Sequence, residues 1–262
     1  MTVQSLPGAE QPALPAAEPT RGSLTLGSIL TMPLLLGGAC AALYLYLSSR
    51  KLDSIEQRSI TMEEVTQRII EHLQLVAVST ILVIVIAVPL GVLLTRPGFG
   101  KLSPAVLTLA NGGQAVPSIG VLVLFAIVWS TGFWPAIIAL LLYALLPVLR
   151  NTMVGLQRVD RFLIDAGLGM GLTRTQVLLR IELPLAVPVM LAGIRIALII
   201  NVGVATLAAF TNAGGLGVII DAGISLSRMP VLITGSVLTA VLALTVDWLA
   251  GLAERVLRPR GL

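Results

Sequence analysis

The chain has 262 residues, of which 56% are hydrophobic and only 11% are charged, and its formal net charge is +4. A soluble domain of this size cannot bury so much apolar surface, so lipid must be the solvent for much of the chain. One cysteine excludes an intrachain disulfide, and one histidine leaves almost nothing from which to build a histidine-based metal site or a Ser-His-Asp triad.

The predicted elements begin with a disordered tail over residues 1–23, which are rich in Pro, Ala, Gln and Glu. Residues 24–72 are expected to form an extra transmembrane helix, over about 24–47, and an amphipathic segment with a short interfacial helix from Met62. Five further membrane spans are predicted over about 73–94, 104–129, 134–150, 185–208 and 230–253. The expected fold is therefore an all-α bundle of about six transmembrane helices, with a membrane domain over 73–254 and a basic tail over 255–262.

The distribution of basic residues predicts the orientation of these spans. Eleven arginines and lysines lie on the side that holds both termini and the 95–103 and 150–184 loops, against five on the other side. The positive-inside rule therefore places both termini in the cytoplasm, although four basic residues between 48 and 72 argue the other way. Because the arginines are scattered among loops and form no single basic face, the positive charge does not indicate nucleic acid binding.

The most distinctive segment lies between two predicted spans on the basic side. It contains Asp165-Ala166-Gly167-Leu168-Gly169-Met170-Gly171, then nine residues, then Ile181-Glu182-Leu183-Pro184. This spacing resembles the EAA loop of ABC importer permeases, although Asp165 stands where that family usually has Glu and Gly167 where it usually has Ala. The resemblance implies a loop that docks into a separate ATPase subunit, so ATP and Mg would be bound by that partner and no cofactor by this chain.

Further segments resemble the permeases that import glycine betaine, choline, carnitine and related osmoprotectants. They are Leu145–Thr152, Ala192–Arg195, and Asn201–Ala209 followed by Gly214–Gly217. The resemblance covers about residues 70–262. It implies a multi-pass protein of the bacterial inner membrane that works with a second, identical or homologous permease, two cytoplasmic ATPase subunits and an extracytoplasmic substrate-binding protein.

The docking loop, defined here as residues 160–184, is predicted to contain two short amphipathic helices over 160–168 and 174–183. Gly169 and Gly171 would permit the sharp turn between them, because a Cβ obstructs a left-handed backbone. Pro184 is expected to end the second helix. The alternative interpretation is an ordinary amphipathic hairpin that lies on the membrane surface.

Polar residues inside the predicted spans are candidates for a translocation pathway, because polar groups in a membrane are costly. Asn111, Gln114 and Ser118 cluster around Pro117, where the helix should break or kink and expose backbone dipoles. Helix-to-helix hydrogen bonding is the alternative role. Asn201 and Thr206 are further pathway candidates on a strip of small residues, for which helix packing is the first expectation.

Arg195 and Asp247 are the only charged residues well inside predicted spans. We hypothesise an ion pair that joins the last two spans near their cytoplasmic ends. The alternative is that each side chain extends separately to the membrane interface.

These features together predict the membrane-spanning subunit of an ATP-driven importer, with no catalysis in this chain. The same machine with another cargo, such as an amino acid, stays open. An intramembrane enzyme is disfavoured because no nucleophile–base pair or metal cluster is visible, and an ion-coupled secondary transporter because no inverted halves are apparent. At 4% aromatic residues the chain lacks the rings for a quaternary-ammonium cage, which favours substrate selection by a binding protein.

Overall fold

A computed structural model describes residues 26–257 of the chain, and the expected N-terminal tail and most of the basic C-terminal tail lie outside this range. No residue between 26 and 257 lies in a β-strand. The α-helices are α1 Leu26–Ser48, α2 Ser54–Ser59, α3 Met62–Leu94, α4 Ser103–Ala115, α5 Ser118–Val128, α6 Phe133–Gln157, α7 Arg161–Gly169, α8 Arg174–Val177, α9 Leu183–Ala205, α10 Gly217–Ser225 and α11 Met229–Leu257. Short 3-10 turns cover Gly100–Leu102 and Thr206–Thr211, and a π-helical turn covers Leu178–Glu182.

The all-helical membrane fold is confirmed. Within the described range, five helices are long and apolar enough to cross a membrane, or six if the pair α4 and α5 counts as one broken span. The break falls at Val116 and Pro117, where α4 and α5 meet at 92°. A proline cannot donate the helical hydrogen bond, and the residue before it is biased away from the helical conformation. The predicted break in the span over 104–129 is thus present.

The separate interfacial helix predicted from Met62 is wrong. Thr61 caps a single helix by accepting from the backbone N–H of Glu64, and that helix runs unbroken for 33 residues to Leu94. At 1.5 Å per residue α3 is about 50 Å long, whereas the hydrocarbon layer is about 30 Å thick. Helix α3 is therefore longer than the layer is thick, and its charged first turns, with Glu63, Glu64 and Arg68, are continuous with the span. Likewise, the short span predicted over 134–150 is the 25-residue helix α6.

Helix α6 forms the centre of the bundle and packs on α3 and on α9. Two glycines allow α9 and α6 to approach closely. A Cβ on Gly193 would lie 2.6 Å from Cβ of Asn151, and one on Gly155 would lie 3.1 Å from the carbonyl oxygen of Ala186. Small residues let helix backbones come together in a membrane, where van der Waals packing is a main source of association. The packing role predicted for the small-residue strip of α9 is confirmed.

The loops alternate between two ends of the bundle. At one end, called here the docking-loop end, Arg96 after α3 is bonded to Glu182 before α9. At the opposite end, the N–H of Gly132 before α6 donates to the carbonyl of Thr211 after α9, at 2.7 Å. Helix α1 packs along α11, and α2 also contacts α11 at that opposite end.

Candidate coupling loop and membrane path

The docking loop folds into a compact hairpin with capped helices. Asp160 accepts a hydrogen bond from the N–H of Phe162 at 2.9 Å and so caps α7. Thr173 and Gln176 form the predicted reciprocal capping box at the start of α8, with bonds of 3.3 and 2.8 Å. Between the helices, Gly171 has φ +86°, a left-handed conformation that favours glycine. Gly169 instead ends α7, so Gly171 alone supplies the left-handed turn residue.

The inner face of α7 rests on the segment that leads into α9. Gly167 is buried, and a Cβ there would lie 2.7 Å from Cδ1 of Ile181 and 3.3 Å from Cγ2 of Val177. This close approach explains why a residue without a side chain stands between Ala166 and Leu168. It also brings together two parts of the motif, Gly167 and Ile181, that are 14 positions apart in the sequence.

The outer face of α7 is exposed. Phe162 and Met170 are 74% and 75% exposed, and Leu163, Asp165 and Ala166 are exposed beside them. The sequence correctly grouped Phe162, Leu163 and Ala166 on one face, and that face points away from the bundle.

The second docking helix does not end at Pro184, contrary to the prediction. Helix α8 continues through the π-helical turn Leu178–Glu182 into α9, in which Leu183 and Pro184 form the first turn. A proline is tolerated there because the N–H groups of a helix's first turn need no intrahelical partner. The second half of the docking loop, from Arg174 onward, is therefore continuous with the membrane helix α9.

Glu182 is the one buried carboxylate of the motif, and its residue is only 6% exposed. Arg96 donates to it with both ends of its guanidinium group, from Nη1 to Oε1 at 3.0 Å and from Nη2 to Oε2 at 2.6 Å. From the sequence, Arg96 is predicted only as one of the basic residues of the 95–103 loop on the cytoplasmic side. No sequence signal links it to Glu182, since 86 positions separate the two residues.

The break between α4 and α5 is stabilised by a tyrosine that the sequence analysis missed. The Tyr143 hydroxyl of α6 donates to the backbone carbonyl of Val116, which the break leaves without a helical partner. Gln114 donates in turn to the Tyr143 carbonyl at 2.5 Å. Of the other predicted pathway residues near the break, Asn111 is exposed and Ser118 is half-buried. Gln114 thus has the helix-to-helix hydrogen bond that was the alternative role.

The two pathway candidates on α9 and after it are less open. Asn201 is fully buried, and its amide donates to the Thr80 hydroxyl of α3 at 3.0 Å. The hydroxyl of Thr206 donates to the Gly203 carbonyl at 2.7 Å. In this chain Asn201 therefore joins two helices and faces no open surface.

The hypothesised charge pair is present. Arg195 of α9 donates from Nε to Oδ1 of Asp247 at 2.5 Å and from Nη2 to Oδ2 at 2.9 Å, which joins α9 to α11. Glu254, two turns further along α11, lies 3.7 Å from Nη1 of Arg195. The guanidinium group also lies across Gly251, where a Cβ would be 3.3 Å from Nη1. The alternative of two separate interfacial side chains is wrong.

At the opposite end, the glycine-rich segment Gly214–Gly217 is held by α3. The Glu71 carboxylate accepts from the N–H of Gly215 at 2.9 Å, and Nδ1 of His72 accepts from the N–H of Leu216 at 3.3 Å. Nε2 of this fully buried histidine is 3.1 Å from the Val202 carbonyl, so the neutral ring with its proton on Nε2 satisfies both bonds. Between residues 26 and 257, no group of three or more His, Cys, Asp or Glu side chains is arranged to hold a metal ion.

This chain is similar to known proteins in both sequence and fold. Residues 87–259 match the family described as binding-protein-dependent transport system inner membrane component. The chain is 40% identical, over 192 residues, to the glycine betaine/carnitine/choline transport system permease protein OpuCB of Bacillus subtilis, which covers 73% of this chain and 88% of that protein. It is 41% identical, over 208 residues, to the osmoprotectant import permease protein OsmY of Salmonella typhimurium, which covers 79% and 87%.

A solved structure of the MetNI methionine ABC transporter, in an inward-facing conformation, contains a chain of similar fold. The TM-score is 0.66 at 26% sequence identity, and the match covers 76% of this chain and all of the other. Helices α1 and α2 lie before the family match, which begins within α3.

Proposed function

The chain belongs to the family of binding-protein-dependent transport system inner membrane components and is a multi-pass permease subunit of an ABC importer, and from this premise we propose how it is coupled and what it carries. The cargo is an osmoprotectant of the glycine betaine, choline and carnitine class. Identity of about 40% to permeases named for these compounds, over nearly three quarters of the chain, supports this cargo. The docking loop couples transport to ATP hydrolysis on a separate subunit.

The observation that carries the coupling role is the exposed apolar face of α7. Phe162 and Met170 are three-quarters exposed at the end of the bundle where the basic loops lie. Large apolar side chains grouped on a polar end of a protein mark an interaction surface. The small residues Ala166 and Gly167 leave room for a partner's surface on one side and for Ile181 on the other.

The same arrangement supports the proposed partners and the proposed orientation. The docking-loop end carries Arg96, Arg161 and Arg174, so the positive-inside rule places it, with both termini, in the cytoplasm of a bacterial inner membrane. Two ATPase subunits that bind ATP and Mg would dock there, one on each of two permease subunits. An extracytoplasmic binding protein would deliver cargo at the opposite end.

The broken span α4–α5 is the segment that we propose lines the translocation pathway. Asn111, Val116 and Pro117 are exposed there, and the break offers backbone dipoles to a zwitterion. Non-helical backbone at membrane depth is tolerated only where protein or water covers it. A second permease copy or a water-filled path would supply that cover.

The experiment is uptake into vesicles that contain the permease, its ATPase and its binding protein. Labelled glycine betaine, choline or carnitine should enter only with ATP and the binding protein, and an excess of unlabelled methionine or histidine should not compete. Uptake driven by an ion gradient without the ATPase would refute the ATP-driven mechanism. Competition by an amino acid would show that the cargo is an amino acid and not an osmoprotectant.

The docking role is tested separately by copurification. Ala166→Arg places a long charged side chain on the exposed face of α7 and should abolish copurification of the ATPase. Ala253→Arg is the matched control, because it changes an exposed alanine of α11 at the docking-loop end of the bundle. It should leave copurification intact. An undiminished ATPase yield and turnover in Ala166→Arg would refute docking through this loop.

A further inference from the structure

The ion pair between Arg96 and Glu182 is the strongest polar link between the docking loop and the rest of the bundle. Nη1 of Arg96 donates to Oε1 of Glu182 at 3.0 Å, and Nη2 donates to Oε2 at 2.6 Å. The Glu182 side chain is 8% exposed and that of Arg96 is 29% exposed. Such a two-point contact fixes distance and direction together, whereas a single contact would fix distance alone.

The pair joins two different parts of the chain. Glu182 is the last residue of the π-helical turn, at the junction of the docking loop and α9. Arg96 follows the end of α3 and donates from Nε to the Val92 carbonyl of that helix at 3.4 Å. The same turn leads through Gly100–Leu102 into α4 and the broken span.

Apolar packing also connects the docking loop to the end of α3, because Val88 and Val92 lie in one cluster with Leu178 and Leu183. Beside this packing, a pocket of about 510 Å³ is lined by residues of both parts, including Arg96 and Glu182. Helix α9 is joined to α6 by close packing at Gly193 and Gly155. Movement of the docking loop therefore reaches α9 and α6 through continuous helix and packed side chains, and at the α3–α4 turn the ion pair adds a two-point polar contact to the apolar packing.

We propose that Arg96 and Glu182 are positioning residues that transmit movement of the docking loop to the α3–α4 turn and so to the broken span α4–α5. This inference rests on the proposed docking function and adds the residue pair that carries the movement onward. Neither residue binds ATP or cargo. Through the pair, the broken span α4–α5 moves together with α9 when the ATPase subunits close.

The physical reason is that a partly buried, bidentate ion pair strongly resists separation. Neutralising either partner leaves the other charge partly desolvated and unpaired, and the turn is then held relative to α9 by apolar packing alone. The ATPase can still dock, since Phe162 and Met170 lie on the other face of the loop. ATP hydrolysis would then continue, while the broken span α4–α5 would move less in each cycle.

The test measures cargo taken up per ATP hydrolysed, in vesicles that contain the complete transporter. Arg96→Gln and Glu182→Gln should each lower this ratio by about tenfold, the size expected when a coupling element is removed, while ATPase copurification and basal hydrolysis persist. Arg96→Lys, which keeps the charge but not the two-point contact, should give a smaller loss and also serves if the neutral variants fail to assemble. The reversed pair Arg96→Glu with Glu182→Arg should recover part of the ratio.

Lys101→Gln is the matched control, because it removes one positive charge from the same loop and Lys101 has no ion pair within residues 26–257. Its ratio should equal that of the parent. The proposal is overturned if Arg96→Gln and Glu182→Gln keep the parental ratio, or if the reversed pair loses as much as each single variant. If Ala166→Arg retains the ATPase, the docking function fails; if only the ratio is unchanged, the positioning role alone fails.

Discussion

The charge pair between α9 and α11 gives the sharpest quantitative prediction. Arg195 and Asp247 are bonded at two points, and their side chains are 38% and 22% exposed. Glu254 lies 3.7 Å from the same guanidinium group. The perturbations are Arg195→Gln, Asp247→Asn and the double variant, which remove charge while changing side-chain size little.

The expected losses of stability are unequal. Two unit charges about 4 Å apart attract with about 4 kcal/mol at an effective dielectric constant of 20, and partial exposure reduces the coupling to about 1–2 kcal/mol. Asp247→Asn leaves Arg195 with Glu254 as a second partner. Arg195→Gln leaves Asp247 with no other cation within 4 Å in the described part of the chain. We expect a loss of about 2–3 kcal/mol for Arg195→Gln and about 1–2 kcal/mol for Asp247→Asn.

The assay is denaturant unfolding of the purified permease in mixed micelles, followed by a double-mutant cycle on the free energies of unfolding. The double variant should be more stable than the sum of the two single losses predicts, by about 1–2 kcal/mol. Strictly additive losses would refute the pair as a stabilising contact. A larger loss for Asp247→Asn than for Arg195→Gln would refute the role given to Glu254.

Three other predictions concern positions that the structure describes in detail. Gly217→Ala should lower the free energy of unfolding by about 1–3 kcal/mol or prevent assembly, because its Cβ would lie 1.8 Å from a backbone carbonyl oxygen. Gly203→Ala, whose Cβ would meet nothing within 4 Å inside helix α9, should cause no loss by the same measurement and a gain of up to about 1 kcal/mol. His72→Leu should cost about 1–3 kcal/mol on unfolding, because a buried backbone N–H loses its acceptor, and an unchanged unfolding midpoint would contradict this. Phe162→Ala should leave the unfolding midpoint unchanged but weaken ATPase binding about tenfold in a titration, since the side chain is exposed in this chain; equal affinity would exclude it from the interface.

The elements predicted correctly are those set by local rules. The apolar runs predicted the transmembrane helices, the Thr173–Gln176 spacing predicted a capping box, and Pro117 predicted the broken span. Each of these depends on residues within a few positions of one another, so the sequence is sufficient. The Arg195–Asp247 pair was also predicted, because two charges stranded in apolar spans have few other ways to be satisfied.

Two physical causes explain the error at Pro184 and the contacts that the sequence does not reveal. Pro184 was expected to end a helix, but the same residue is favourable in a helix's first turn, and only the structure shows that α8 and α9 join through a π-helical turn. The other cause is distance along the chain. The contacts of Tyr143 with Val116 and of Arg96 with Glu182 join residues 27 and 86 positions apart. Nothing in the sequence around these residues indicates which partner each of them contacts.

The stiffness of this chain bears on where its membrane path lies. Helix α9 is continuous with the second half of the docking loop, packs closely on α6 at two glycines, and is joined to α11 by Arg195 and Asp247. Elements joined in this way move together, as in rigid-body transitions of subunits about an interface. The broken span, held to α6 by Tyr143, presents Val116 at the surface of the chain, where that residue is 47% exposed. A wall on the outside of such a body can open and close only against a second body, and a second permease subunit, proposed above as one cover for the break, would supply it.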